Sequence, residues 1–120
     1  MTRRTERVND LLREEISRLV LRELHDPAFQ QGLISVTEVE VSPDLRHARV
    51  YVSVMGSEEE RTSVFQALER ARHFMERELS RRLKMRQTPE LAFRQDDSIE
   101  RGVRLSQLIK EVASEQGDTL

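Results

Sequence analysis

Residues 33–56, LISVTEVEVSPDLRHARVYVSVMG, decide the fold because they contain two strand patterns joined by a short turn. In the second half, HARVYVSVM, apolar and polar residues alternate, which is typical of a strand with one buried face. In the first half the apolar positions change parity after Val36, and this change predicts a β-bulge near Thr37. The Ser-Pro-Asp-Leu turn between the halves predicts an antiparallel hairpin.

Helical patterns surround this hairpin. Residues 5–24 are amphipathic and end before Pro27, whereas residues 57–84 open with a Ser-x-x-Glu capping box and continue as a long apolar stripe. The run PELAFR predicts a third strand, and a short helix over residues 97–112 follows it. The order α-β-β-α-β-α predicts an α+β fold in which helices cover one small three-stranded sheet.

A chain of 120 residues is expected to form a single domain. We assign residues 1–112 to that domain and expect residues 113–120, ASEQGDTL, to be a polar and disordered tail. A straight helix over 57–84 would be about 40 Å long at 1.5 Å per residue, so we expect a kink or break within it.

Composition excludes several classes of function. The chain has no cysteine, and its three histidines lie far apart without a second ligand at metal-site spacing, so we predict no metal and no cofactor. No serine lies in a recognisable nucleophile motif, and we predict that the protein is not an enzyme. No window approaches the length of a membrane span, and we expect a cytoplasmic monomer.

Basic residues nevertheless gather on one side of the long helix, although the formal net charge is −2. At about 100° per residue four of them fall within a stripe about 60° wide, opposite the apolar side. We call this set the basic stripe; it consists of Arg70, Arg77, Arg81 and Lys84. The spacing shows no acidic partner within the stripe, whereas Arg72 can pair with Glu76. We therefore predict contact with nucleic acid.

Other basic residues extend this candidate RNA-binding set. We expect the helix to end near Lys84, which would place Arg82 and Arg86 in the connecting loop. An N-terminal group is a weaker candidate. The full set is Arg3, Arg4, Arg7, Arg70, Arg72, Arg77, Arg81, Arg82, Lys84 and Arg86. The phenylalanines at 65, 74 and 93 are assigned to the core because they lie on or beside apolar stripes.

Three stretches together resemble the ribosome-binding factor A family: RTERVNDLLREEISRLVLREL, ISVTEVEVSPDLRHARVYVSVMG and TPELAFRQDDSIERGVRLSQLI. The resemblance extends from Arg4 to about Ile109. It implies a KH-like fold of the second type, in which an Ala-x-Gly triplet kinks the long helix in place of the Gly-x-x-Gly loop of ordinary KH domains. The triplet falls on Ala71, Arg72 and His73, and His73 departs from the family's glycine.

The resemblance also implies a function without catalysis. Members of the family bind the free small ribosomal subunit during its assembly and assist 5′-end maturation of its rRNA, which matters most in the cold. The implied partners are this subunit, its rRNA and other assembly factors such as GTPases. Two alternatives remain open from the residues: a general single-stranded RNA-binding module of KH type, and a protein-interaction module that docks an acidic partner.

Overall fold

The strands β1 (Leu33–Val41) and β2 (His47–Met55) form an antiparallel pair in the computed structural model. The structure describes residues 3–30 and 33–117. The register between the strands shifts at Thr37, so the predicted bulge is confirmed. The extra residue restores the alternation of buried and exposed positions on both sides of the bulge.

The connection between β1 and β2 is held by hydrogen bonds from short side chains. The Asp44 carboxylate accepts from the Ser42 hydroxyl at 2.6 Å and from the Arg46 N–H at 3.1 Å. Leu45 has φ = 61°, which closes the turn, and its N–H donates to the Ser42 carbonyl at 2.9 Å. These contacts confirm the predicted hairpin, because each aspartate and serine bond stabilises a turn conformation of the backbone.

The third strand, β3 (Glu90–Gln95), pairs with β2 in parallel, and the strand order in the sheet is β1-β2-β3. Parallel neighbours cannot be joined by a tight turn and need a crossover. The helix α2 (Glu58–Leu83) supplies that crossover. Its position in the molecule is therefore set by the two strands that it connects.

Both ends of α2 follow from local chemistry. The Ser57 hydroxyl accepts a hydrogen bond from the Glu60 N–H at 3.1 Å, and the Glu60 carboxylate accepts from the Ser57 N–H at 3.3 Å, which confirms the predicted capping box. At the other end Lys84 adopts φ = 50° and ψ = 43°, a left-handed conformation that stops the helix. Arg82 lies inside the helix, so its predicted place in the loop is wrong, whereas Arg86 lies in the loop.

The expected break in this helix is absent. α2 is one continuous α-helix of 26 residues, and Ala71, Arg72 and His73 all belong to it. Among the residues of α2 and its two caps, all of them described, only the C-cap Lys84 has a positive φ. A histidine in the third position lacks the conformational freedom of glycine, and the backbone at this position is regular helix.

Two helical segments bury one face of the sheet. The helix α1 (Arg3–Arg18) packs on β1 and continues into a π-helical turn (Leu19–Glu23), while α2 packs beside it over β2 and β3. The fully buried side chains of this core include Leu12, Ile16, Leu19, Val50, Val52, Val64, Leu68, Met75 and Leu79. The opposite face of the sheet is exposed or half-buried at Glu38, Arg49 and Tyr51, although Ser53 on that face is buried.

The last helix, α3 (Ser98–Gly117), contributes no described side chain to the core. It is longer than the predicted helix, which ended at Val112, because no residue between Val112 and Gly117 interrupts a helix. Its apolar stripe is exposed at Leu105, Leu108 and Ile109. The division into a domain over 1–112 and a tail over 113–120 stays a prediction.

A buried hydrogen bond joins α1 to the edge of the sheet and generates a stability prediction. The Asn9 side-chain oxygen accepts from the Val41 N–H at 2.8 Å, and both residues are buried. Replacing Asn9 by Ala leaves this N–H without its partner, and we expect the free energy of unfolding to fall by about 1–3 kcal/mol. Urea unfolding measures the change. Asp10→Ala, at the exposed neighbouring position, is the control and should shift stability by less than about 0.5 kcal/mol; equal effects of the two variants would contradict the prediction.

Candidate nucleic-acid interface

The basic stripe lies on the solvent side of α2 because the opposite side of that helix is buried. Val64, Leu68, Met75 and Leu79 are fully buried against the sheet and α1. All four members of the basic stripe are exposed. Arg70 and Arg81 are separated by eleven helical steps, or about 16 Å along the axis, and Lys84 follows α2 as its C-cap. The predicted alignment along one helix is therefore confirmed for Arg70, Arg77 and Arg81.

The prediction that the basic stripe lacks acidic partners at helical spacing is wrong for Arg81, and Arg70 has an acidic partner from outside the helix. The Arg70 guanidinium donates to the Asp26 carboxylate at 2.9 Å, and the Arg81 guanidinium donates to Glu78 at 2.8 Å. Glu78 lies three residues before Arg81, a spacing at which helical side chains meet. Asp26 is brought to Arg70 by the turn that follows α1, and only the tertiary structure creates this pair.

The remaining cations of this region have no ion-pair partner in the described part of the chain. Arg77 and Lys84 of the basic stripe are exposed and unpaired among residues 3–30 and 33–117, and so is Arg86 in the following loop. Arg70 and Arg81 also keep much of their surface in water, with 62% and 70% of the side chain exposed. The face therefore presents positive charge that the described residues do not neutralise.

Arg82 has a structural role instead. Its guanidinium donates to the Glu23 carboxylate at 2.5 and 2.6 Å and to Glu15 at 3.5 Å, and it lies 3.9 Å from Glu78. Only 21% of this side chain is exposed. These contacts join the end of α2 to α1 and to its π-helical turn. Arg82 is therefore engaged in ion pairs inside the protein, and its predicted contact with RNA stays a prediction.

Arg72 is occupied in a similar way on the other side of α2. Its guanidinium lies 3.4 Å from Glu69, 3.6 Å from Glu76 and 3.6 Å from Glu90. The predicted pairing with Glu76 is confirmed. Glu90 begins β3, so Arg72 joins the helix to the sheet and has only 24% of its side chain exposed.

The carboxylates that receive these arginines are held in the charged form. The pKa of Glu23 lies below its ordinary value because Arg82 donates hydrogen bonds to it, and Arg81 lowers the pKa of Glu78 in the same way. The pKa of Asp26 is also lowered, first by the Ala28 N–H and then by Arg70. Arg82 in turn has a raised pKa, first because of its hydrogen bonds to Glu23.

The N-terminal group is separate from α2. Arg4 and Arg7 are exposed on α1, where neither has an acidic partner in the described ranges, and Arg4 lines a small cleft with Pro43 and Leu45 of the hairpin turn. Arg3 begins α1, and its side chain lies outside the described residues. The structure thus places these arginines on a different helix from the basic stripe.

One assignment to the core is wrong. Phe74 has 43% of its surface exposed, whereas Phe93 is buried and Phe65 is half-buried as expected. Phe74 lies four residues after Arg70 and three before Arg77, so helical geometry places it at the edge of the basic stripe. The 100° rotation per residue already contains this information, because it puts Phe74 about 40° from Arg70.

Comparison with known proteins identifies the family. The family model described as ribosome-binding factor A matches residues 4–109. This chain belongs to the ribosome-binding factor A family. Ribosome-binding factor A of Caldanaerobacter subterraneus subsp. tengcongensis is 43% identical over 118 residues, which are 98% of this chain and 96% of the relative.

Solved structures of the family agree with the fold. The crystal structure of ribosome-binding factor A from Thermus thermophilus superposes with a TM-score of 0.66 at 28% identity, covering 76% of this chain and 93% of that one. A Thermus thermophilus homology model fitted into the cryo-EM map of a complex with the 30S subunit gives a TM-score of 0.54 at 32% identity, over 72% of this chain and 93% of that one. The predicted α+β, KH-like fold is confirmed.

The described residues show no feature of two other kinds of site. Within 3–30 and 33–117 there is no group of three or more His, Asp or Glu side chains that could hold a metal ion. In the same part of the chain, every helix is too short or too polar to cross a membrane.

The contacts of Arg82 predict how stability responds to substitution and to acid. Arg82→Gln should lower the unfolding temperature near neutral pH, because it removes the bonds to Glu23 and Glu15. A lowered folded-state pKa stabilises the fold above the unfolded value, near 4.5 for Glu23, and this contribution is lost as the pH falls through the folded value. The unfolding temperature of Arg82→Gln should therefore fall less between neutral and acidic pH than that of the unaltered protein.

Thermal unfolding followed by circular dichroism across this pH range tests the expectation. Arg77→Gln is the matched control, since Arg77 is an exposed arginine of the same helix with no ion-pair partner among the described residues. If both substitutions change the unfolding temperature and its pH dependence alike, the role assigned to Arg82 is incorrect.

Proposed function

We propose that this protein is a non-catalytic assembly factor that binds the free small ribosomal subunit through its rRNA. Membership of the ribosome-binding factor A family supports the assignment, and so does the fitting of a similar Thermus thermophilus protein into the map of a complex with the 30S subunit. The observation in this chain that carries the proposal is the row of exposed cations, unpaired among the described residues, at Arg77, Lys84 and Arg86. RNA phosphates would supply the negative charge that the described residues do not provide there.

The proposed binding face consists of the basic stripe together with Arg86. Arg77 and Lys84 would contact phosphates directly, because they have no competing carboxylate in the described ranges. Arg70 and Arg81 would add long-range attraction while they remain paired, since an ion pair with an exposed guanidinium still leaves donors facing the solvent. Arg72 and Arg82 hold α2 in place and are not part of this proposed face.

Such a face acts by selecting an RNA conformation. A helix that keeps its length and position can bind strongly only to RNA whose phosphates lie along it, so its binding free energy favours that arrangement over others. No covalent bond needs to form or break. We infer that binding promotes late maturation of the subunit in this way, including processing of the 5′ end of its rRNA. Residues 1–112 would provide the binding domain and residues 113–120 the tail.

Charge reversal on the face tests the binding site. Arg77→Glu combined with Lys84→Glu should weaken binding to isolated small subunits by roughly ten- to a hundredfold, since each lost charge-assisted contact contributes about 1.5–3 kcal/mol and is only partly independent. Co-sedimentation across a salt series measures this loss. The slope of log affinity against log salt should become shallower by the amount that about two phosphate contacts contribute.

The control carries the same change of charge elsewhere. Arg13→Glu combined with Arg22→Glu alters two exposed arginines outside α2 that have no ion-pair partner among the described residues. It should retain most of the binding. Undiminished sedimentation of the Arg77 and Lys84 variant would refute the proposed face.

The choice of particle decides between the proposed function and its alternatives. We expect selective binding to free small subunits over large subunits and complete ribosomes. Equal binding to all particles and to bare RNA would indicate a general single-stranded RNA-binding module instead. Binding that survives nuclease treatment of the particle would indicate docking to a protein.

The effect on rRNA maturation follows from the same face. In cells whose only copy carries Arg77→Glu and Lys84→Glu, small-subunit rRNA with unprocessed 5′ ends should accumulate, most of all at low temperature, because the variant no longer binds the maturing particle. Primer extension measures the fraction of unprocessed ends. Normal processing in cells that contain the folded double variant would separate binding from maturation and contradict this part of the proposal.

A further inference from the structure

An exposed aromatic ring lies at the edge of the basic stripe, between Arg70 and Arg77 along the helix axis. Phe74 is 43% exposed, and it has Arg70 one turn before it and Arg77 one turn after it on the same side of α2. Neighbours at these spacings have Cβ atoms about 5–6 Å apart. Cations therefore flank the ring along the helix axis in both directions.

The position of Phe74 is not explained by packing of the core. The next residue, Met75, is fully buried and occupies the core side of the helix, as does Leu79. Phe29 and Phe93, by comparison, are more than nine-tenths buried. A single exposed apolar side chain is common on protein surfaces and has no meaning alone. Its enclosure by cations on a face that also carries unpaired charge distinguishes Phe74.

We propose that Phe74 stacks on an unpaired base of the small-subunit rRNA while the flanking arginines hold the adjoining phosphates. This inference rests on the proposed function and deepens it, because it specifies single-stranded RNA at this point of the face. Bases within a duplex are already stacked on each other, whereas an unpaired base offers its ring to an aromatic side chain. In this arrangement the ring would stack on one base, and the cation on each side would contact the phosphate on the same side of that base.

The surroundings of Phe74 argue against a protein partner. Protein interfaces usually centre on a buried apolar cluster in which charged residues are depleted. The neighbours of Phe74 one turn away on α2 are Arg70, Arg77 and Glu78, which are charged, and Ala71, whose small side chain is half-buried and packs against the core. A protein docked there would have to desolvate several charges in order to bury one ring.

Substitution of Phe74 separates stacking from simple apolar contact. Phe74→Ala should weaken binding to isolated small subunits by about fivefold or more, because fivefold is the smallest loss of affinity expected when one base–aromatic stack is removed. Phe74→Leu should weaken binding to the same extent. Phe74→Trp should retain binding. The salt dependence should not change in any of these variants, in contrast to Arg77→Glu combined with Lys84→Glu, because no charge is removed.

The matched control is Leu11→Ala. Leu11 is a 50%-exposed apolar residue on α1, away from the basic stripe, and its replacement should leave binding unchanged. Thermal unfolding of each variant checks that the fold is retained. If a variant has a lower unfolding temperature, its binding is compared with that of the unaltered protein at a temperature at which both proteins are folded.

Tryptophan fluorescence reports the stacking itself. The chain contains no tryptophan, so Phe74→Trp places a single one on the face. Stacking on a base should quench its emission when protein-free small-subunit rRNA is added, and an RNA duplex of matched length should quench it much less. The same tryptophan at position 11 should be unaffected by either RNA.

The outcomes distinguish this inference from the function on which it rests. If charge reversal abolishes binding but Phe74→Ala binds normally, the RNA face stands and the stacking role is overturned. If Phe74→Ala weakens binding to subunits while the emission of Phe74→Trp stays unchanged at rRNA concentrations at which this variant is bound, the ring contacts protein and the inference is again overturned. If charge reversal leaves binding to small subunits unchanged, both the proposed RNA-binding face and the stacking role of Phe74 are refuted.

Discussion

Parallel pairing of β2 with β3 is the constraint on which the rest of the structure depends. It obliges a crossover, and α2 is that crossover. Because the helix must cover the sheet, its apolar side faces inward and its basic stripe faces outward without any further device. The position of the candidate RNA face is thus a consequence of strand order. The Val41 N–H donates a buried hydrogen bond to the Asn9 side chain. This bond attaches α1 to β1, so α1 is held beside α2 in the helical layer that covers the sheet.

The distribution of charge explains how a slightly acidic chain can present a basic face. Arginines that join elements are surrounded by carboxylates, as Arg82 is by Glu23 and Glu15, and these groups neutralise each other within the protein. Two cations that remain unpaired in the described ranges, Arg77 and Lys84, lie on the solvent side and at the end of α2, apart from the unpaired arginines of α1. Net charge is therefore a poor guide here, since local segregation determines the potential that a phosphate backbone meets.

Continuity of α2 alters the expected mode of binding. The resemblance implied a kink at residues 71–73, where ordinary KH domains have a flexible glycine loop, but His73 lies inside regular helix. A loop can follow the path of the RNA, whereas a helix presents its side chains at fixed intervals. Recognition by this face would accordingly depend on RNA that matches cations spaced at helical intervals, with one ring between Arg70 and Arg77. The exposed positions of Arg70 and Phe74 provide the first half of this arrangement.

Features that depend on near neighbours could be predicted from the amino-acid sequence. The bulge at Thr37, the cap at Ser57 and the helix end at Lys84 were all predictable, because alternation and side-chain bonds to the adjacent backbone act over a few residues. Only the tertiary structure decided which cations are free. Arg70 and Arg82 pair with carboxylates that lie 44 and 59 residues away in the sequence. These pairs form only because separate elements pack together, and no local pattern encodes that packing.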